Sequence, residues 1–361
     1  MGCRVLKNGE KSRAKRFGRN ILLILAGLLF LIVGFAVIAF SKELRIISSI
    51  EKAADDKPVY YMEVNGDYHF EEFLNSGGAS SDDEVGAFLT KCISKGFYSV
   101  DIEENGPACS TISATAPDGS HVWGRNFDWT GSAPIIVRCI PNDGYASVST
   151  CDFQNITNSP DVVPEDFANK MLAIAALYVP MDGVNEAGLC VADLQVNEGG
   201  MPVVDTDKPD LTVTTAIRLV LNKAADVDEA VQLLTLYDIH ASGGISHHLA
   251  ISDASGASVS VEFTKEGIEV VNTNFVTNFN MANGDTSAGG ESAKQRYEYL
   301  VSVYEQNNGS FTVDQIRDAL NNVAQTGEWA TQWSVVYEQN TSNIYYYFER
   351  NFENVFNFSV K

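Results

Sequence analysis

The sequence predicts an α+β domain carried behind one membrane-spanning helix, and three observations point there. Strand-like runs are joined by turn signatures, as where Thr111–Thr115 is followed by Pro117-Asp118-Gly119-Ser120 and a return strand from His121. Segments of helical period with start signals lie among them, such as the one opened by Thr312-Val313-Asp314-Gln315. Ahead of both, Ile21–Phe40 is a run of 20 residues with neither charge nor proline.

As a helix that run spans roughly 30 Å, enough to cross a bilayer. Residues 1–20 carry seven Lys/Arg against Glu10 alone, so they are expected to stay in the cytoplasm. Everything after Ser41 is then extracellular, on a single-pass protein of the cell membrane. The rival is a cleaved secretory signal, for which Ala39-Phe40-Ser41 could serve as the cut. The apolar core of such a signal is usually about 7–15 residues, so the length favours a retained anchor. The chain carries a net charge of −22. Set against the basic first segment, this leaves an outer portion too acidic to expect nucleic acid as a partner.

Ser41–Asp101 reads as a stalk, with Asn75–Ser81 linker-like, followed by a small helix at Asp83–Ser94 whose Val85, Phe88, Leu89 and Cys92 share one face. Pro134–Pro141 and Tyr145–Phe153 form a second strand pair. Glu165–Tyr178 is a buried helix or strand, and Asn185-Glu186-Ala187-Gly188 is a tight turn before the strand Leu189–Val196. Helices are expected at Thr214–Asn222, Asp228–Tyr237 and Glu291–Gln306, and from Thr312 to about Val323. Strands are expected at Ile245–Ala254, Ser258–Thr264, Ile268–Asn272, Gln332–Tyr337 and Ile344–Phe348. At 361 residues the chain can hold one large domain.

The six cysteines are too scattered for a disulfide framework, and no pair has metal-ligand spacing. Cys139 and Cys151 flank a hairpin in a register that opposes Cys139 to Tyr145–Ala146, so no bridge is expected between them. His247 and His248 are neighbours in a strand and face opposite ways, a poor metal pair. No phosphate loop or dinucleotide fingerprint occurs, and neither metal nor cofactor is expected.

The densest chemical signal lies in 106–130. A hairpin there brings the end of its second strand back beside the start of its first, so Arg125 and Asp128 should sit close to Cys109. A thiol within reach of a guanidinium and a carboxylate is a candidate activated nucleophile. Spacing alone leaves open a buried core cysteine with two charged residues on an unrelated loop.

Cys109-Ser110-Thr111 followed by Gly124-Arg125-Asn126-Phe127-Asp128-Trp129 resembles the opening of the choloylglycine hydrolase family of linear-amide C–N hydrolases. The resemblance runs from Cys109 to the C-terminus. It implies a four-layer αββα N-terminal nucleophile hydrolase sandwich over 109–361. Processing would make Cys109 the first residue of the active chain, leaving 41–108 as stalk and propeptide. Cys109 would then supply both the nucleophilic sulfur and, through its freed α-amino group, the proton carrier. Arg125 would favour thiolate and contact substrate, and Asp128 would hold the amino group. Gly183-Val184-Asn185-Glu186-Ala187-Gly188-Leu189 resembles the element whose asparagine, here Asn185, helps form the oxyanion hole. Thr277-Asn278-Phe279 resembles the element supplying a second donor, Asn278. Ser292–Tyr297 resembles the segment with a site arginine, Arg296, and Trp333–Tyr337 looks like the closing sheet. The resemblance implies a small acyl-amide substrate, no cofactor, and room for homo-oligomers. Two other readings stand beside it: a Cys/His hydrolase using Cys109 with His121, His240, His247 or His248, and a surface-anchored domain that binds without catalysis. The loops Thr130–Ile135, Val196–Asp210 and Asn280–Gly290, which would choose the substrate, carry no readable motif.

Overall fold

A computed structural model describes residues 3–53, 57–102, 108–196 and 200–361, with side chains from Arg16 onward. Gly106 and Pro107, ahead of the cysteine, and part of the 196–210 loop lie outside the described residues. The chain divides into two units, one ending at Ser48 and the other running Ser49–Lys361.

The first unit is helical, Cys3–Ala39 followed by Ser41–Ser48. Its Arg16–Ala39 stretch of 24 residues is long and apolar enough to cross a membrane.

In the second unit the described strands form a nine-stranded sheet, a six-stranded sheet and a short parallel pair. The first hairpin spans Ala108–Thr115 and His121–Asp128 and lies inside the six-stranded sheet, flanked by Phe275–Val276 and Thr331–Glu338. Period-two alternation decides which side chains face which layer. Cys109, Trp123 and Phe127 point into a core shared with Val184, Cys190 and Leu194 of the large sheet and Trp333 and Val335 of the small one. Ile112, Ala114 and Val122 point the other way, onto Leu300, Ile316 and Leu320 of the helices Gly290–Gln306 and Val313–Val323. Each large apolar side chain buried here contributes about 1.5–3 kcal/mol. Gly124 permits the helix to lie directly on the strand, since a Cβ there would stand 2.5 Å from Ile316 Cγ2. The capping box at Thr312 and Gln315 is formed.

The stalk reading needs correction. Tyr60–Asn65 is an inner strand of the large sheet, paired in parallel with Pro134–Ile140 from Tyr60↔Ile135 to Asn65↔Ile140. A short helix, Phe70–Asn75, follows it, and the helix expected at 83–94 occupies Asp82–Ile93, capped by Ser81. A run such as Tyr60-Tyr61-Met62-Glu63-Val64-Asn65 is too short and too mixed to reveal a parallel partner distant in the chain. The ambiguous 165–178 segment is helix Phe167–Ala173 continued by a 3-10 turn at Ile174–Leu177. The expected helix end at 235–237 gives way to a short strand, Asp238–His240. The strand Phe356–Ser359 was not anticipated. Cys139 opposes Ser147 and Cys151 opposes Ile135, so the two cysteines are not cross-strand partners.

One buried carboxylate beside the 130–135 loop gives a pH-dependent expectation. Asp152 Oδ1 accepts from the amides of Ala133 and Gln154, each at 3.1 Å, while Oδ2 is buried and lacks a geometrically good hydrogen bond among the described residues, Ser132 being its neighbour. Burial pushes this carboxyl up to about 6. An acid raised in the folded state binds its proton more tightly than the unfolded chain does, so stability falls as pH rises between about 4 and 6. Asp152→Asn keeps the accepting oxygen and removes the charge. Thermal melts should show it more stable than wild type by up to about 3 kcal/mol at pH 7.5, with the advantage vanishing near pH 4.

Candidate active site

Cys109 is fully buried at the start of its strand, and its neighbours approach it from three sides. Arg125, two register positions along the paired strand, donates from Nη2 to Cys109 Sγ at 3.2 Å. The guanidinium crosses from the small sheet to the large one. There it donates to the carbonyls of Met181 at 2.7 Å and Asp193 at 2.8 Å, and to the Asp182 carboxylate. Trp333 Nε1 at 2.9 Å and Tyr337 Oη at 3.1 Å also donate to Asp182. Phe127 lies under the cation, 5.2 Å from its centre. A fully buried guanidinium is tolerable only with such a set of acceptors and a counter-ion. Burial works against its charge, and Cys109 and Asp182 more than restore it, raising its pKa.

The main chain of Cys109 is held separately. Its amide donates to Asn278 Oδ1 at 3.2 Å, and its carbonyl accepts from Arg296 Nη1. Arg296 Nη2 also donates to Asn278 Oδ1, at 2.7 Å, and Asn278 Nδ2 donates to the Gln195 carbonyl at 2.8 Å. Arg296 is buried on its helix rather than facing solvent, and burial lowers its pKa against the opposing pull of Asp128.

Asp128 stands opposite Ala108 on the other face of the strand from Arg125. It accepts from Thr331 Oγ1 at 2.5 Å and Gln325 Nε2 at 2.8 Å, and lies 3.9 Å from Arg296 Nη1. A register shift between Thr331 and Trp333 aims the threonine at it, a common use of a β-bulge beside a site. Thus Arg125 reaches the sulfur, whereas Asp128 is linked to the Cys109 backbone through Arg296. Burial raises the Asp128 pKa, with Arg296 the main opposing influence.

One expectation changes. Asn185 does not offer an oxyanion donor: its Nδ2 donates to the carbonyls of Leu221 at 3.1 Å and Ala224 at 2.7 Å, and its Oδ1 accepts from the amides of Ala187 and Leu189. Both N–H groups of the side-chain amide are committed, so it holds the turn that Gly188 closes at φ +89°. Arg125 pulls the Cys109 pKa down, as expected of a cation beside a thiol, but burial outweighs it and pushes the thiol up to about 11 in this uncut chain. The histidines are engaged elsewhere: His247 with Asp193 and the Ser242 carbonyl, His240 with Asp210, and His121 near Thr115 Oγ1. Sequence reasoning missed Asp182, Asp193, Thr331 and Gln325. The only hint was that a strand acid such as Asp182, in an otherwise apolar stretch, must find a cation.

Residues 109–285 match the family model for linear amide C-N hydrolases, choloylglycine hydrolase family. Over that stretch the chain is similar to the choloylglycine hydrolase family. The match supports a linear amide C-N hydrolase, and the fold is shared with a solved conjugated bile acid hydrolase. A cysteine-to-alanine mutant of conjugated bile acid hydrolase from Clostridium perfringens aligns at 20% identity and TM-score 0.52, covering 70% of this chain and 92% of that one. An arginine-to-leucine variant of the same enzyme aligns at 19% and 0.51, with coverage of 70% and 92%. Penicillin V acylase from Agrobacterium tumefaciens aligns at 18% and 0.48, covering 66% and 83%. No curated protein matches by sequence.

Proposed function

We propose that this protein cleaves a linear acyl amide through a thioester on Cys109, after the Ala108–Cys109 bond has been cut. The observation that carries the reading is the pair of contacts on one residue. Arg125 Nη2 sits 3.2 Å from the sulfur, and Asn278 Oδ1 accepts from the nitrogen that cutting would turn into an amine. Uncut, that nitrogen is an amide and cannot act as a base, and the thiol at about 11 is a weak nucleophile at neutral pH. Cut, the α-amino group has an intrinsic pKa of about 7.7–8.0 and can take the thiol proton and pass it to the leaving amine. Sulfur attacks the carbonyl, the C–N bond breaks with that proton delivered to nitrogen, and water then hydrolyses the thioester.

Arg125 steadies the developing thiolate, and Arg296 with Asp128 holds the backbone of Cys109 in place. Asn278 orients the new amine through Oδ1 and offers its Nδ2 side to the tetrahedral oxyanion. A donor of that kind contributes roughly 3–4 kcal/mol to the transition state. The domain acts outside the cell, anchored through Arg16–Ala39 with the basic N-terminus inside. The pairing of Tyr60–Asn65 with Pro134–Ile140 keeps the segment ahead of the cut docked on the catalytic fragment, and so keeps that fragment at the membrane. A panel of acyl amides, including conjugated bile salts, penicillin V, N-acyl amino acids and signalling lactones acylated on an amino group, tests the reading with wild type beside Cys109→Ala. Turnover of any member by both proteins at equal rates would refute it.

A further inference from the structure

His247 is buried against the same strand that braces Arg125, and the proposed mechanism leaves it without a task. Its Nδ1 lies 2.8 Å from Asp193 Oδ1 and its Nε2 lies 2.8 Å from the carbonyl oxygen of Ser242. A carbonyl oxygen only accepts, so Nε2 donates to Ser242, while Nδ1 is bonded to the Asp193 carboxyl. The Ser242 end is fixed in turn: the amide of Gly243 donates to Asp82 Oδ2 at 2.7 Å. The Asp193 end leads to the nucleophile. The main-chain carbonyl of Asp193 accepts from Arg125 Nη2, the nitrogen that also donates to Cys109 Sγ. The Asp193 amide donates to the Met181 carbonyl at 2.9 Å, which is the acceptor of Arg125 Nη1. Asp193 therefore sits between both carbonyls that aim the guanidinium, and His247 holds its side chain.

We infer that His247 is a positioning residue, which through Asp193 fixes the carbonyl frame that points Arg125 at the Cys109 sulfur. The inference rests on the reading of Cys109 as the nucleophile. Orienting a group on a rigid element by a second layer of hydrogen bonds is how preorganised sites keep their geometry. A histidine that served only to anchor the turn at Ser242 would need only its Nε2 contact. One that positions Arg125 needs the Nδ1 contact with Asp193.

Two isosteric variants separate these roles. Asparagine places its amide donor near Nδ1 and so keeps the Asp193 contact, whereas glutamine places it near Nε2 and keeps only the Ser242 contact. The probe is iodoacetamide, and the readout is the rate of Cys109 alkylation from pH 6 to 10, followed by mass of the Cys109 peptide in purified protein. His247→Gln should move the profile upward by about one pH unit, making alkylation roughly tenfold slower at pH 7.5. His247→Asn should stay within about threefold of wild type. Equal profiles for the two variants, or the reverse order, would overturn the inference. So would failure of both variants to fold, judged by circular dichroism, because the residue would then be holding the sheet. Hydrolysis retained by Cys109→Ala would instead remove the nucleophile reading, an outcome distinct from the order of the two alkylation profiles.

Discussion

Replacing Cys109 by alanine is expected to reduce amide hydrolysis by a factor on the order of 10⁴ or more and to leave the chain as one uncut species. Both effects follow from the same atom if the Cys109 sulfur is the nucleophile for substrate and also for the autoproteolytic cut of the Ala108–Cys109 bond. The change should be nearly silent in stability. Cys109 is a small buried side chain packed with Phe127 and Trp333, and alanine removes little volume from that core. Cys109→Ser is more informative than alanine about the environment. An alcohol 3.2 Å from Arg125 Nη2 keeps the contact but is a far poorer nucleophile, so activity should remain very low while the fold and the Arg125 frame are preserved. A Cys109→Ala protein that hydrolyses amides at the wild-type rate would remove the mechanism.

Asp182→Ala is expected to be the most destabilising single change in the site, by about 3–5 kcal/mol, lowering Tm by roughly 10 °C. Asp182 and Arg125 are both fully buried, and the carboxylate also accepts from Trp333 Nε1 and Tyr337 Oη. Removing it strands a guanidinium in an apolar core and frees two further donors. The decisive comparison is Asp182→Leu combined with Arg125→Met. Replacing both charges with apolar groups of similar size removes the stranded ion, so the double variant should recover most of the lost stability. It should not recover activity, because nothing would then face the sulfur. Equal Tm for wild type and Asp182→Ala in calorimetry would show that the pair does not carry this burden.

Much of the architecture was legible because local signals and tertiary structure agree. The first hairpin follows from the Pro117-Asp118-Gly119-Ser120 turn, the last helix from the box at Thr312 and Gln315, and the strand at 258–264 from its β-branched alternation. What escaped had no local signature. Tyr60–Asn65 gains its place from a parallel partner distant in sequence, and the pairing of Asp210–Thr212 with Asp238–His240 is likewise long-range. The site was legible where strand pairing carries it. Cys109, Arg125 and Asp128 lie on one hairpin, and Asn278 and Arg296 meet the Cys109 backbone. Asn185 misled because a motif asparagine in a turn can satisfy the turn itself, and only the four bonds it makes reveal that. Asp182 and Asp193 were invisible as partners of Arg125 because they come from the opposite sheet.

The central claim is that the working enzyme begins at Cys109. Intact mass and N-terminal sequencing of active protein purified from membranes test it most directly. The account predicts a 253-residue species starting Cys-Ser-Thr-Ile, held in the same complex as the segment that carries Tyr60–Asn65. Full hydrolytic activity in a preparation whose every molecule retains the Ala108–Cys109 peptide bond would contradict it.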